Sequence, residues 1–350
     1  MREYTLERVL NATKNRQPNF NNILAVLDKK KPSRPTLFEF FMNDPLECKL
    51  AQWDGVPATG EDYWRCKINA FRNAGYDYTT LYANDYSFKS NDIHRKSSLS
   101  ANEGFVIHDR QSFEAYEWED TRDYDEGRAE KLAKFLPDGM KFIAYGPGGV
   151  LENMIKLIGF DNLCYMTIDD PELVGLIADN IGQRLYECYE QVINCDSIGA
   201  IISNDDWGFN TQTMLSTADM RKYVFPWHKK IAALAHSAGK PVILHSCGNL
   251  AKVWDDIIFD IKMDGKHSYE DNILPVEKAY DELNGKIAVL GGIDVDFATR
   301  MPADDVYDRS SAMLKKTDSR GYALGTGNSI PEYIPDEKYF SMILAALDEA

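Results

Sequence analysis

The chain has 350 residues, 44% of them hydrophobic and 27% charged, within the ordinary range for a globular protein of one large or two smaller units. Its net charge of −16 argues against nucleic acid and anionic membrane as partners. No apolar run approaches the roughly 18–20 residues that span a bilayer. The opening MREYTLERVL carries Glu3 and Glu7 where a signal peptide needs an apolar core, so a cytoplasmic protein is expected. Six cysteines are scattered without CxxC spacing, which speaks against a disulfide framework and a four-cysteine zinc module.

Residues 1–33 read as N-terminal helices, with Leu6, Val9 and Leu10, then Ile23, Leu24 and Leu27, at helical spacing. After Arg34-Pro35, the aromatic run TLFEFF (36–41) reads as a first strand, with Glu39 and Phe41 on one face. A helix over 61–74 ends at Gly75, and a strand over 76–82 delivers Asp85. Residues 89–138 are polar, with SSLS, HDRQ and WEDTRDYDEGR, and are expected to form a long excursion over the mouth of the fold, closed by a helix over 128–135. The strand 141–145 runs into Gly146-Pro147-Gly148-Gly149, which lacks both the GxGxxG and the GKS/T phosphate patterns and reads as a tight turn into a helix.

A helix from about Val150 and another over 170–193, capped by Asp169-Asp170-Pro171, lead to a strand over 197–203 that delivers Asp205 and Asp206. The next predicted helix, 216–238, ends at Gly239. Then comes PVILHSCGNL (241–250). Its apolar run, bounded by Gly239-Lys240-Pro241 and Gly248-Asn249, predicts a short buried strand. Alternation places His245 and Cys247 on one face at the strand's C-terminal end. Such a pair is half of a soft metal site, although a buried Cys beside a hydrogen-bonded His would read the same. Strands over 261–265, 286–290 and 321–324 follow, each after a helix, and deliver His267, Asp294 and Asn328. A helix over 336–349 closes the chain.

About eight strand–helix alternations predict a single α/β domain, a (β/α)8 barrel with an N-terminal helical extension. Glu39, Asp85, Asp205, Asp206, His245, Cys247, His267, Asp294 and Asn328 all fall at C-terminal strand ends, the face where active sites of such barrels form.

Three segments resemble the uroporphyrinogen decarboxylase superfamily. They are SNDDWGFNTQTMLSTADMRKYVFPWHKKIAALAHSAGKPVILHSCGNL (203–250), HSYEDNILPVEKAYDELNGKIAVLGGIDVDF (267–297) and GYALGTGNSIPEYIPDEKYFSMILAAL (321–347). The likeness is strong over roughly residues 140–350 and extends over the first 100 in outline. It too implies a (β/α)8 barrel, commonly a monomer or homodimer.

The superfamily has two main chemistries. Cofactor-free decarboxylases resemble one another in a pair of arginines near the N-terminus, an aspartate over the pyrroles and a histidine in an LGHG-type turn. Here only Arg34 is in reach, Asp85 is a loose counterpart of the aspartate, and Thr326 stands at the histidine position. The other branch, zinc-dependent methyltransferases working with a corrinoid protein, uses a His-x-Cys pair plus a distant cysteine. His245 and Cys247 match the pair; the distant position falls at or near Asn328, and no cysteine follows Cys247. The resemblance therefore implies zinc held by His245, Cys247 and a further ligand, with Glu270 expected, His267 as its alternate, and Asp205, Asp206 and Asp294 also candidates.

Asp85, Asp205, Asp206 and Asn328 are the expected catalytic residues, and Glu39, Trp207 and Asp294 the expected substrate contacts. The expected activity moves a methyl group between a small methylated compound, with an oxygen donor favoured, and a corrinoid carried by a partner protein. A cofactor-free decarboxylase is the alternative, and a non-catalytic barrel that binds a corrinoid or small molecule is a third.

Overall fold

The computed structural model describes residues 2–57, 60–91, 102–124 and 127–349. Seven parallel strands make one sheet in sequence order: β1 (Tyr78–Tyr82), β2 (Lys141–Tyr145), β3 (Ile198–Asn204), β4 (Val242–His245), β5 (Gly265–His267), β6 (Ala288–Leu290) and β7 (Tyr322–Ala323). Helices fill the connections, as parallel pairing requires. The strands are almost wholly buried because helices cover one face and the strands' own side chains fill the other.

The predicted first strand is absent as a ladder. Residues 36–42 instead occupy the gap between β7 and β1. On the β7 side the contact is backbone: Phe38 N–H donates to Leu324 O at 2.8 Å, and Leu324 N–H to Thr36 O at 2.8 Å. On the β1 side it is made by side chains. The Tyr78 hydroxyl donates to Glu39 O at 2.6 Å and the Thr80 hydroxyl to Phe40 O at 3.1 Å. Aromatic side chains packed at both faces of this segment take the place of a regular ladder, with Phe40 and Phe41 stacked 3.9 Å apart.

The N-terminal helices Leu6–Thr13 and Asn21–Leu27 form as expected. Residues 18–29 cross the N-terminal ends of the strands, and glycines there admit them. A Cβ on Gly139 would lie 2.2 Å from Pro18 O, one on Gly199 2.3 Å from the Phe20 ring, and one on Gly265 2.7 Å from Leu27.

Two predicted elements differ. The long helix 216–238 is broken into Thr217–Asp219, a π-helical turn Met220–Val224 and the helix Phe225–Ser237. Pro226 explains the break, since it lacks an N–H and its ring crowds the carbonyl four residues back. Of the predicted strand 261–265, Ile261 instead ends a π-helical segment, Asp256–Ile261, and β5 begins only at Gly265.

The SSLS part of the 89–138 excursion lies outside the described residues. The described parts pack on the helices Val150–Ile158 and Pro171–Ile193. Val106 and Ile107 N–H both donate to Leu157 O, at 2.9 and 2.8 Å, and Arg184 donates to Trp118 O at 3.0 Å. Ile107, Ala129 and Leu132 are buried and Trp118 is half-buried, so this stretch contributes more to the core than its polarity implies. Among the described residues no helix is long and apolar enough to cross a membrane.

Candidate metal centre

Asp206, His245 and Cys247 come together at the C-terminal end of β4, and their ligand atoms all lie within 4.8 Å of one another. The local backbone explains why. The loop after β3 continues alongside the chain after β4. Asp205 N–H donates to His245 O at 2.9 Å, Trp207 N–H to Ser246 Oγ at 3.0 Å and Gly208 N–H to Cys247 O at 3.1 Å. Gly208 and Gly248 let the two loops touch, since a Cβ on Gly248 would lie 2.2 Å from Gly208. Asp206 is thereby set beside Cys247, and its Oδ1 accepts Cys247 N–H at 2.8 Å.

A second row of contacts fixes the imidazole. His267 Nε2 lies 3.3 Å from Thr326 O, which can only accept, so Nε2 carries the proton. His267 Nδ1 is then the lone pair facing His245 Nδ1 at 2.8 Å. His245 must donate from Nδ1, which leaves its Nε2 lone pair free for a ligand. Both rings are held neutral. Burial pushes His245 down to about 4, with Lys266 adding to the shift and Asp206 opposing it. Burial, then His245 and Lys266, push His267 well below its ordinary value.

Burial and Asp206 push the Cys247 thiol up to about 12. Its sulfur accepts from Asn328 Nδ2 at 3.3 Å and lies 3.6 Å from the Ser268 hydroxyl, which donates to Gly327 O at 2.7 Å. Ser268 has φ +104°, a conformation that costs a non-glycine residue of order 1–3 kcal/mol, and such strain collects at functional sites.

One nitrogen, one sulfur and one carboxylate oxygen form the donor set of a catalytic zinc site with an open fourth position. The spacing is within a small side-chain adjustment of a single ion with bonds of about 2.0–2.3 Å. The residues present fit zinc.

Glu270 and His267 stand outside this group. Glu270 Oε1 accepts Gly248 N–H at 3.3 Å, and His267 lies behind His245. Asp205 is wholly buried and fully engaged. It accepts from Leu151 N–H, Glu152 N–H and His228 Nε2, each at 2.9 Å, and so caps the helix Val150–Ile158. Gly149, the last residue of the Gly-Pro-Gly-Gly turn, admits this contact, since a Cβ there would fall 2.0 Å from the Asp205 side chain.

Trp207 is buried among Phe225 and His228. Glu39 is buried too, its carboxylate accepting from Thr326 N–H at 2.6 Å and the Thr326 hydroxyl at 2.8 Å. Asp294 caps the helix Val295–Arg300 and accepts Asp271 N–H at 2.9 Å. Asp85 is exposed and pairs with Arg128.

A cleft of about 860 Å³ opens beside the cluster, lined by Glu270, Asp294, Phe297, Asn328 and Tyr333. Neither His245 nor Cys247 lines it; Asn328 joins the two by its bond to Cys247. Two nearby groups escaped the sequence reading. Glu152 is pushed up to about 8 by burial and then by Asp205 and Asp206. Lys266 is buried in β5 and pushed down to about 8 by that burial. A lysine and a glutamate in solvent-facing positions give the same sequence signal, so only the fold reveals them.

Residues 132–348 match the family model for uroporphyrinogen decarboxylase (URO-D). No curated protein matches the sequence. Among solved structures, a methyltransferase from Methanosarcina mazei shares the fold, with a TM-score of 0.70 at 14% identity over 94% of this chain and 97% of that one. A B12-independent methionine synthase from a Shewanella species gives a TM-score of 0.43 at 14% identity, over 63% and 65% of the two chains. A xylose isomerase-like TIM barrel protein from Mycobacterium smegmatis gives 0.41 at 12% identity, over 90% and 98%.

Proposed function

This chain belongs to the uroporphyrinogen decarboxylase family, and on that premise we propose that it is a zinc-assisted methyltransferase acting between a small methylated compound and a corrinoid carried by a partner protein. The observation that carries the reading is the Asp206–His245–Cys247 cluster at the C-terminal strand ends. The fold shared with a methyltransferase supports it.

His245 offers Nε2, oriented from behind by His267 and the Thr326 carbonyl. Asp206 offers the oxygen not held by Cys247 N–H. Cys247 binds as thiolate, and the Asn328 amide steadies its sulfur. Bound zinc supplies a Lewis acid for the heteroatom bearing the methyl group, or keeps an acceptor thiol ionised near neutral pH. Asn328, at the boundary of cluster and cleft, positions the small molecule, and Glu270 and Asp294 line its approach. A hard carboxylate in place of a second soft thiolate leaves the centre more electrophilic, which favours an oxygen-bound methyl group.

The test is methyl transfer to cob(I)alamin, followed by absorbance, with methoxylated and methylamine donors. Wild type should methylate with at least one donor and carry one zinc per chain. Cys247→Ala should abolish both while leaving the circular dichroism unchanged. If no donor methylates cobalamin and the protein decarboxylates uroporphyrinogen at a rate that survives Cys247→Ala, the cofactor-free alternative replaces this reading.

A further inference from the structure

A second, smaller pocket of about 270 Å³ lies behind the cluster, between the chain after β4 and the loop after β5. Leu250, Trp254, Tyr269, Ile273 and Leu274 give it apolar walls. Lys266 lines it as well, although that residue is only 2% exposed. Lysine is almost never buried this deeply without a carboxylate partner. Yet among the described residues Lys266 makes no ion pair within 4 Å, and Glu270 and Asp206 act on it only from further off. One N–H goes to Ser268 O. The ammonium also lies over the Tyr269 ring, 4.2 Å from its centroid, and 5.9 Å from that of Trp254. Two of its three N–H bonds have no protein acceptor among the described residues.

The two glutamates on the pocket wall do not fill this vacancy. Glu282 is exposed at the rim, and Glu270 turns Oε1 to Gly248 N–H. A buried cation with free donors, in a pocket with both polar and apolar walls, is the complement of an anion with an apolar body.

We propose that this pocket binds the carboxylate of a small, mainly apolar organic acid, with Lys266 as its counter-ion. The carboxylate accepts the two free N–H bonds, and the hydrocarbon part packs on Trp254 and Leu274. Ser268 and Gly248 border both this pocket and Cys247, so the acid would sit directly behind the candidate metal centre. The pocket's chemistry does not depend on methyl transfer.

The experiment is calorimetric titration of the full chain with isovalerate and with the neutral, similarly shaped isovaleramide. It is carried out on zinc-loaded protein and again after chelation. Wild type should bind the acid about tenfold or more tightly than the amide, as a charge-assisted bond requires, with or without metal. Lys266→Met should erase that preference and leave the weak amide binding unchanged. Equal binding of acid and amide to wild type would overturn the proposal, and needs no variant. So would a preference that survives in folded Lys266→Met. A preference lost on chelation would place the acid on the metal instead, and would overturn it too.

Discussion

Replacing His267 tests whether the imidazole row prepares His245 for a metal. His267→Leu keeps approximate volume but removes the acceptor facing His245 Nδ1 at 2.8 Å. The Nδ1–H donor is then left buried without a partner, which costs about 1–3 kcal/mol. The alternative is a shift of that proton to Nε2, which blocks the ligand position. Either way the metal-ready form is disfavoured by a factor of about 5 to 150, given about 1.4 kcal/mol per tenfold. This overlaps the 10–100-fold loss typical when the outer partner of a metal-binding histidine is removed. His267→Gln retains an acceptor and should lose less. Competition with a chromophoric zinc chelator at pH 7.5 measures both affinities, with circular dichroism as a control for folding. Zinc affinity within twofold of wild type in a folded His267→Leu protein would refute the tautomer argument. Affinity that survives His245→Ala would refute the site itself.

Three further outcomes follow from how deeply each group sits. Asp205→Ala strands two helix N–H groups and the His228 imidazole, and should cost about 3–5 kcal/mol in urea unfolding. Asp85→Ala removes the exposed half of an ion pair whose Arg128 keeps its bond to Tyr82 O, and should cost about 1 kcal/mol, with methyl transfer unchanged. Glu39 is pushed from 4.5 up to about 8 by burial, against the two hydrogen bonds from Thr326 that favour its ionised form. Between those values the folded chain holds a proton that the unfolded chain has released. Stability should therefore fall as pH rises across that window and level off above it. The total is of order several kcal/mol at about 1.4 kcal/mol per unit. Glu39→Gln should flatten that slope in urea titrations from pH 5 to 9; an unchanged slope would contradict the assignment.

The regular part of the fold was legible because its signals are local. β2 runs over the very residues its apolar run indicates, and the helix Pro171–Ile193 begins at the Asp-Pro cap. β5 was not legible. Gly-Lys-His has no apolar pattern, and the hydrophobic residues before it belong to a π-helical segment. The strand could be found only from its neighbours, which hide Lys266 and His267 in the interior. At the site, His-x-Cys was readable because both residues sit within three positions on one chain segment. The choice among acidic partners was not. Asp205 and Asp206 are adjacent in sequence, yet one caps a helix across the sheet while the other faces Cys247. Glu270, the ligand the resemblance implies, sits on the neighbouring loop and turns to a backbone amide. Ser268 carried no signal at all, since its importance lies in a backbone angle.

The crossing of residues 18–29 beneath the strands has a consequence for how the chain is made. These residues leave the ribosome early, but their seats do not exist until much later. Phe20 needs Gly199, and Leu27 needs Gly265, each far down the sequence. The nascent segment must therefore wait with Phe20, Ile23, Val26 and Leu27 unburied while most of the sheet is synthesised. Such long-range closure is slow and leaves sticky surface exposed in the interval. The base of the fold is thus made before its seats, a timing that would favour protection of these helices during synthesis.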